Sequence, residues 1–159
     1  MKSTKLYSVM FPIWFLFIIP TVWLIIIPAN FIIDSLVILI TLKYLHYPKP
    51  TEIWKLKIWL VWLFGFIADI IGALLVIGLY FTLSSFFPNL GADLVFFPGT
   101  CLVAIPGVIL AGVLIYFLNK KISFKKVKLD EAQVHKLCLM LACFTAPYTM
   151  LIPLYWQKT

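Results

Sequence analysis

Ile27-Pro28-Ala29-Asn30-Phe31-Ile32-Ile33-Asp34 lies inside an apolar run that extends over residues 6–45. How the chain passes this point decides the fold. As one helix rising 1.5 Å per residue the run would be ~60 Å long, about twice the hydrocarbon thickness of a bilayer. It must fold back or project far out of the membrane. Proline disfavours helix at the residue before it, and asparagine is a frequent turn residue. The run therefore reads as a tight hairpin cornered at Pro28-Ala29-Asn30, with spans at about 8–27 and 31–45.

Working outward, the remainder has the same character. The chain has 159 residues, 64% hydrophobic and 12% charged, with a mean hydropathy of +1.07. A soluble domain is nearer half apolar and a quarter charged. So few charges cannot cover a water-facing surface without large apolar patches. The expected class is all-α: a polytopic transmembrane helical bundle forming a single domain over 1–159. Beyond the hairpin, spans are expected at about 58–84, 94–118 and 131–156, the last interrupted by Pro147 and Pro153, giving five in all. Without a turn at Pro28 the count falls to four.

The polar links support this organisation. His46, Tyr47, Pro48, Lys49 and Pro50 precede an amphipathic, Trp-bearing stretch from Thr51 to Lys57, of the kind that lies at a membrane surface. Thr51 reads as its N-cap. Pro88, Asn89 and Gly91 mark a second link without lysine. In the third, Ile122, Phe124, Val127 and Leu129 alternate with Lys120, Lys121, Lys125, Lys126 and Lys128, suggesting an extended or interfacial segment. Asp130 follows as an N-cap, with Gln133 at the capping-box position and Leu129 and Val134 as a hydrophobic staple.

The formal charge is +7 and all 13 basic residues are lysine. Lysines confined to short links between apolar runs speak for membrane orientation rather than nucleic-acid binding. With five spans, Lys2, Lys5, the 43–57 group and the 120–136 group share one side. That places the chain in the cell membrane with its N-terminus cytoplasmic. Lys120, Lys121, Lys125, Lys126 and Lys128 are then positioned to meet anionic lipid head groups on the inner face, or an acidic partner.

Asp69 is the residue most informative about function. It falls roughly 16 Å into its span, near the bilayer midplane, where a charge costs several kcal/mol. Gly65, Ala68, Gly72 and Ala73 share its side of the helix and would let another helix approach closely. Asp69 therefore faces protein, either as a proton or cation site or as a neutral acid hydrogen-bonded across a helix interface. With the hairpin, Asp34 lies one turn into a helix, ~6 Å below the outer surface, where the helix dipole favours an acid. Asn30, Asp34 and Ser35 could then form the outer mouth of a path to Asp69. An aspartyl protease dyad needs two carboxyls at one depth and nearly in contact, and the hairpin reading separates them. Pro98-Gly99 and Pro106-Gly107 suggest a kinked or broken helix, which in transporters marks a site and elsewhere improves packing.

Other chemistry finds little footing. His46 and His135 read as interfacial residues. Cys101, Cys138 and Cys143 show no metal or redox spacing. Ser84, Ser85, Thr100, Cys101 and Thr145 have no acid–base partner at a recognisable spacing. No metal or cofactor is expected, and an enzyme ranks a distant third among the readings. The leading expectation is a small membrane protein that transports or senses a proton, cation or small solute through Asp69, with Asp34 and Asn30. The alternative is a non-catalytic structural or interaction subunit. Either would associate with itself or with other membrane proteins, because so small a bundle has little interior.

Overall fold

The computed structural model describes residues 20–87 and 99–151. Four long helices carry the fold: α1 (Pro20–Tyr44), α2 (Pro50–Phe86), α3 (Gly99–Leu118) and α4 (Glu131–Thr145). A π-helical turn, Asn119–Ser123, continues α3, and a 3-10 turn, Tyr148–Leu151, follows α4. α2 packs against α1 and α3, and α4 packs against α1 and α3, so the helices close into a four-membered bundle. With their adjoining turns, all four are long and apolar enough to cross a membrane. The protein is a polytopic α-helical membrane protein with four described spans. Outward apolar side chains such as Leu24, Ile40, Leu74, Leu102 and Ile109 are well exposed, as a lipid-facing surface requires.

The hairpin at Pro28 does not form. α1 is one 25-residue helix with Pro28 in its interior, long enough at ~37 Å for a single crossing. The reason is the solvent. A reverse turn at membrane depth would leave several N–H and C=O groups unpaired in hydrocarbon, at several kcal/mol each. Continuing the helix through Pro28 forfeits only the bond that its missing N–H would have made to the Leu24 carbonyl. Contacts with α2 hold the segment in place: the Trp62 indole N–H donates to the Ile27 carbonyl at 3.2 Å, and Phe31 packs its ring against both Trp59 and Trp62. The first expected span, the Pro88-Asn89-Gly91 link, Pro98 and Pro153 fall wholly or largely outside the described residues. So does the N-terminus, whose expected shared side with the lysine-rich links rests on the corner that α1 replaces with helix.

α2 meets α3 at a crossing made of small residues. A Cβ placed on Gly72 would lie 2.7 Å from the Gly107 carbonyl oxygen and 3.1 Å from the Ala111 methyl. A Cβ on Gly107 would collide with Val76 and lie 2.7 Å from the Gly72 carbonyl oxygen. Lipid tails are as apolar as leucine, so helices here gain by close van der Waals approach rather than by escaping water. Ala68 and Ala111, one turn either side of the glycines, are fully buried in the same core. Gly107 thus serves contact: α3 runs unbroken from Gly99 to Leu118 with Pro106 inside it.

Both lysine-bearing links close the same end of the bundle. Phe124, Val127 and Leu129 from the α3–α4 link join Tyr47 of the α1–α2 link and the flanking Leu42 of α1 and Ile53 and Trp54 of α2 in one apolar cluster. The expected extended segment is instead a π turn pinned from inside. The buried Asn119 amide donates to the Ile115 carbonyl at 2.9 Å, and the Ser123 hydroxyl donates to Asn119 Oδ1 at 2.7 Å. The Asp130–Gln133 capping box is present, with Val134 buried and Leu129 packed in the same cluster. Thr51 does not cap α2. Lys49 holds that place, with Pro50 in the first turn, where a missing N–H costs nothing. The hydrogen bond to Glu52 at 2.9 Å holds the Lys49 ammonium above the usual lysine range, but this pair is solvent-exposed and adds little stability.

α1 ends at His46, whose φ of 52° is left-handed. The Tyr47 N–H returns to the Leu42 carbonyl and the His46 N–H to the Lys43 carbonyl, both at 3.0 Å. That is the Schellman pattern, with histidine where glycine is usual. His46→Val is therefore expected to be about 1–2 kcal/mol less stable than His46→Gly, because a β-branched side chain tolerates this backbone worst. Thermal unfolding of the two variants in one detergent measures the difference.

Candidate functional site

Asn30 and Asp34 stand one turn apart on α1, and Gly65 and Asp69 one turn apart on α2. Because the two helices run antiparallel, Asn30 meets Asp69 and Asp34 meets Gly65. The Asn30 amide donates to Asp69 Oδ2 at 3.2 Å. A Cβ on Gly65 would lie 3.6 Å from Asp34 Oδ2, so the glycine leaves room for that carboxyl. Asp34 is 3% exposed and Asp69 6%, and Asp69 Oδ1 has no hydrogen-bond partner.

The continuous α1 corrects the depth of Asp34. It stands roughly 21 Å from Pro20 and roughly 15 Å from Tyr44 along the helix, near mid-span rather than ~6 Å below a surface. It is an interior residue of α1, so helix-dipole stabilisation at an N-terminus does not apply. The two acids that the hairpin reading separated share one cavity. No hydrogen bond joins their carboxyls among the described residues, and each has its own neighbours, so the pair is not a protease-type dyad sharing a proton.

α4 supplies the third wall. Its helix stops at Thr145, because Pro147 pushes Ala146 to extended backbone (φ −58°, ψ 148°). The chain then closes a tight turn, with the Tyr148 N–H on the Ala146 carbonyl at 2.7 Å. The Tyr148 hydroxyl donates to the Cys143 carbonyl at 2.6 Å. The Thr145 hydroxyl donates to the Leu141 carbonyl at 2.8 Å and lies beside the Asp34 carboxyl. Its one proton can serve either acceptor. While it serves Leu141, only a protonated Asp34 can complete a hydrogen bond to Thr145, by donating. With no histidine or lysine beside it, Thr145 is not an activated nucleophile.

The cavity between α1, α2 and the broken end of α4 has a volume of about 330 Å³. Asn30, Asp34, Asp69, Thr145 and Thr149 form its polar part, and Ile25, Ile33, Phe144 and the Tyr148 ring are among its apolar walls. Among the described residues no lysine or histidine lines it. Among the described residues the sole ion pair is Lys49–Glu52 at the bundle end. The carbonyl end of α4 also carries partial negative charge. The site is acidic, with both carboxyls buried and no counter-cation from the described residues.

The remaining expected residues are distributed elsewhere. Ala68 and Gly72 face α3, Ala73 packs in a second apolar cluster with Val76, Val103 and Ala104, and only Gly65 touches the acid cavity. The helix break falls at Ala146–Pro147 in α4, not at Pro106-Gly107; Gly99 opens α3 and Pro98 is outside the described residues. Lys121, Lys125, Lys126 and Lys128 are exposed, whereas Lys120 is half-buried, its ammonium 3.3 Å from the Tyr116 hydroxyl. Lys121 lies over the Phe117 ring. His135 Nδ1 is 2.7 Å from that same Tyr116 hydroxyl. The cysteines are free, and no group of three or more metal-ligating side chains assembles among the described residues. Sequence reasoning missed Phe144, Thr145 and Tyr148 as site residues. Their signal was Thr145-Ala146-Pro147, a polar residue and a helix-stopping proline inside an apolar run. No protein-family model, curated protein or solved structure matches the chain.

Proposed function

We propose that the protein moves a proton or a monovalent cation across a membrane, or senses one there, using Asp34 and Asp69 as the exchanging groups. One observation carries this reading: two carboxyl groups, both buried, share a cavity in which none of the described lining residues is basic. Ionised carboxylates cost several kcal/mol at this depth, and two in one cavity also repel. Each must hold a proton or an external cation, and exchanging one for the other is the elementary step of such a protein. Asn30 fixes Asp69 by donating to one oxygen and leaving the other open. Thr145 can turn its proton toward Asp34 or away from it. The break in α4 beside the acids supports the reading, since interrupted helices at mid-membrane are tolerated where they line a cavity.

The orientation follows from the same reading. Both lysine-bearing links close one end of the bundle, and by the positive-inside bias this end faces the cytoplasm of the cell membrane. Its exposed lysines would meet anionic head groups there. So small a bundle would work as a homo-oligomer or beside other membrane proteins.

Two measurements test the site. N,N′-dicyclohexylcarbodiimide partitions into apolar surroundings and reacts with protonated carboxylic acids. It is expected to add to the peptides carrying Asp34 or Asp69, and not to an Asp34→Asn/Asp69→Asn protein. In proteoliposomes under an imposed membrane potential, the wild type is expected to carry a proton or cation flux that Asp69→Asn abolishes. Equal flux in both proteins, with Asp69→Asn losing only thermal stability, would make the acid a packing element of a structural subunit.

A further inference from the structure

The size and lining of the acid cavity speak to what it holds. At about 330 Å³ it has the volume of roughly ten water molecules and falls within the range of small organic ligand sites. A bare metal ion needs more oxygen ligands than two carboxylates supply, and no larger metal-ligating cluster forms among the described residues. A hydrated ion would be set against Ile25, Ile33 and Phe144, which offer its water no hydrogen bonds. Asn30 and Thr145 stand against the two carboxyls, with Asp69 Oδ1 unpartnered, and apart from Thr149 and the Tyr148 hydroxyl the rest of the described wall is hydrocarbon and aromatic ring. Such a lining suits a ligand with one cationic end and an apolar body.

A second cavity continues in the direction that such a body would take. It has about 300 Å³ and is lined by Val37, Ile40, Thr41, Tyr44, Met140 and Phe144, in the crevice between α1 and α4. Phe144 lines both cavities and is 64% exposed, so its ring is the shared partition. The second cavity reaches Tyr44, the last residue of α1, at the lysine-bearing end. Phe144 and Tyr148 also set two aromatic rings beside the acids, where a desolvated cation gains from a ring face.

Resting on the reading of Asp34 and Asp69 as a cation-exchanging pair, we infer that the cation is a lipophilic organic one. Its positive centre sits between Asp34 and Asp69, and its apolar body lies against Phe144 and into the α1–α4 crevice. Entry is lateral, from the lipid, through that crevice. Protons compete for the same carboxyls.

The test uses the full chain in nanodiscs of phosphatidylcholine, a lipid without net charge, and tritiated tetraphenylphosphonium as the probe. Saturable binding is expected, displaced by unlabelled probe but not by neutral triphenylphosphine oxide. Asp34→Asn and Asp69→Asn are each expected to weaken it by about tenfold or more. Phe144→Ala, which leaves both acids in place, is expected to weaken it about fivefold. In the wild type, tetraphenylphosphonium is expected to protect the carboxyls from carbodiimide where sodium or potassium chloride does not. Absence of saturable binding, binding indifferent to the acids and to Phe144, or equal protection by the inorganic salts would each overturn the inference. Labelling without probe binding sinks the organic-cation inference alone. Absence of labelling in the wild type sinks the exchanging-pair reading beneath it. Protection in the wild type requires no variant to fold.

Discussion

Gly72→Leu is expected to yield no folded, monodisperse protein in detergent, and Gly72→Ala to cost about 1–3 kcal/mol. The added Cβ would meet the Gly107 carbonyl oxygen at 2.7 Å, and that atom is backbone, so no rotamer change relieves the overlap. α2 and α3 would have to separate, and with them the contacts that replace hydrophobic driving force in a membrane. Ala68, Ala111, Val76 and Val103, all buried near this crossing, would lose partners together. Gly78→Ala is the control: nothing lies within 4 Å of a Cβ there. It should be neutral, or stabilise by up to ~1 kcal/mol through helix propensity. Fluorescence-detected size exclusion with a temperature ramp reads all three. A Gly72→Leu protein as stable as the wild type would show that the two helices do not touch at these glycines.

Asp69→Leu is expected to cost about 1–3 kcal/mol, and Asn30→Leu a similar amount, while the double variant recovers much of the loss. Each single change leaves a buried polar group without its partner, since the Asn30 amide and Asp69 Oδ2 serve each other at 3.2 Å. Replacing both removes the need. Asp69→Asn is expected to behave differently. Its amide oxygen still accepts from Asn30, so stability should stay within about 1 kcal/mol of wild type, yet the exchangeable proton is gone. Loss of flux with stability retained separates function from packing in one protein. Additive losses in the Leu pair, by thermal unfolding, would mean that Asn30 and Asp69 do not depend on each other.

Most of the architecture was legible because the bilayer makes strong demands. Long lysine-poor apolar stretches could only be spans, and lysines gathered in links could only mark ends. The small residues around Asp69 announced that this face meets protein, although one sequence could not divide them between α1 and α3. The capping box at Asp130 was readable because its residues are neighbours along the chain. Pro28 misled because proline and asparagine carry turn propensities measured in water, where a turn's open N–H and C=O groups find partners. In hydrocarbon they find none.

The candidate site shows the same division from the other side. The sequence by itself determined that this is a helical membrane protein with an acid at mid-depth facing protein, because burial cost and hydropathy are properties of residues and their order. Only the tertiary structure decided that α1 runs through its proline, that Asp34 therefore lies as deep as the interior, that α3 continues through Pro106, and that the interruption at Pro147 falls beside the acids. Those outcomes depend on where separate helices place one another's polar groups, and no local pattern in the chain encodes a distance across a bundle.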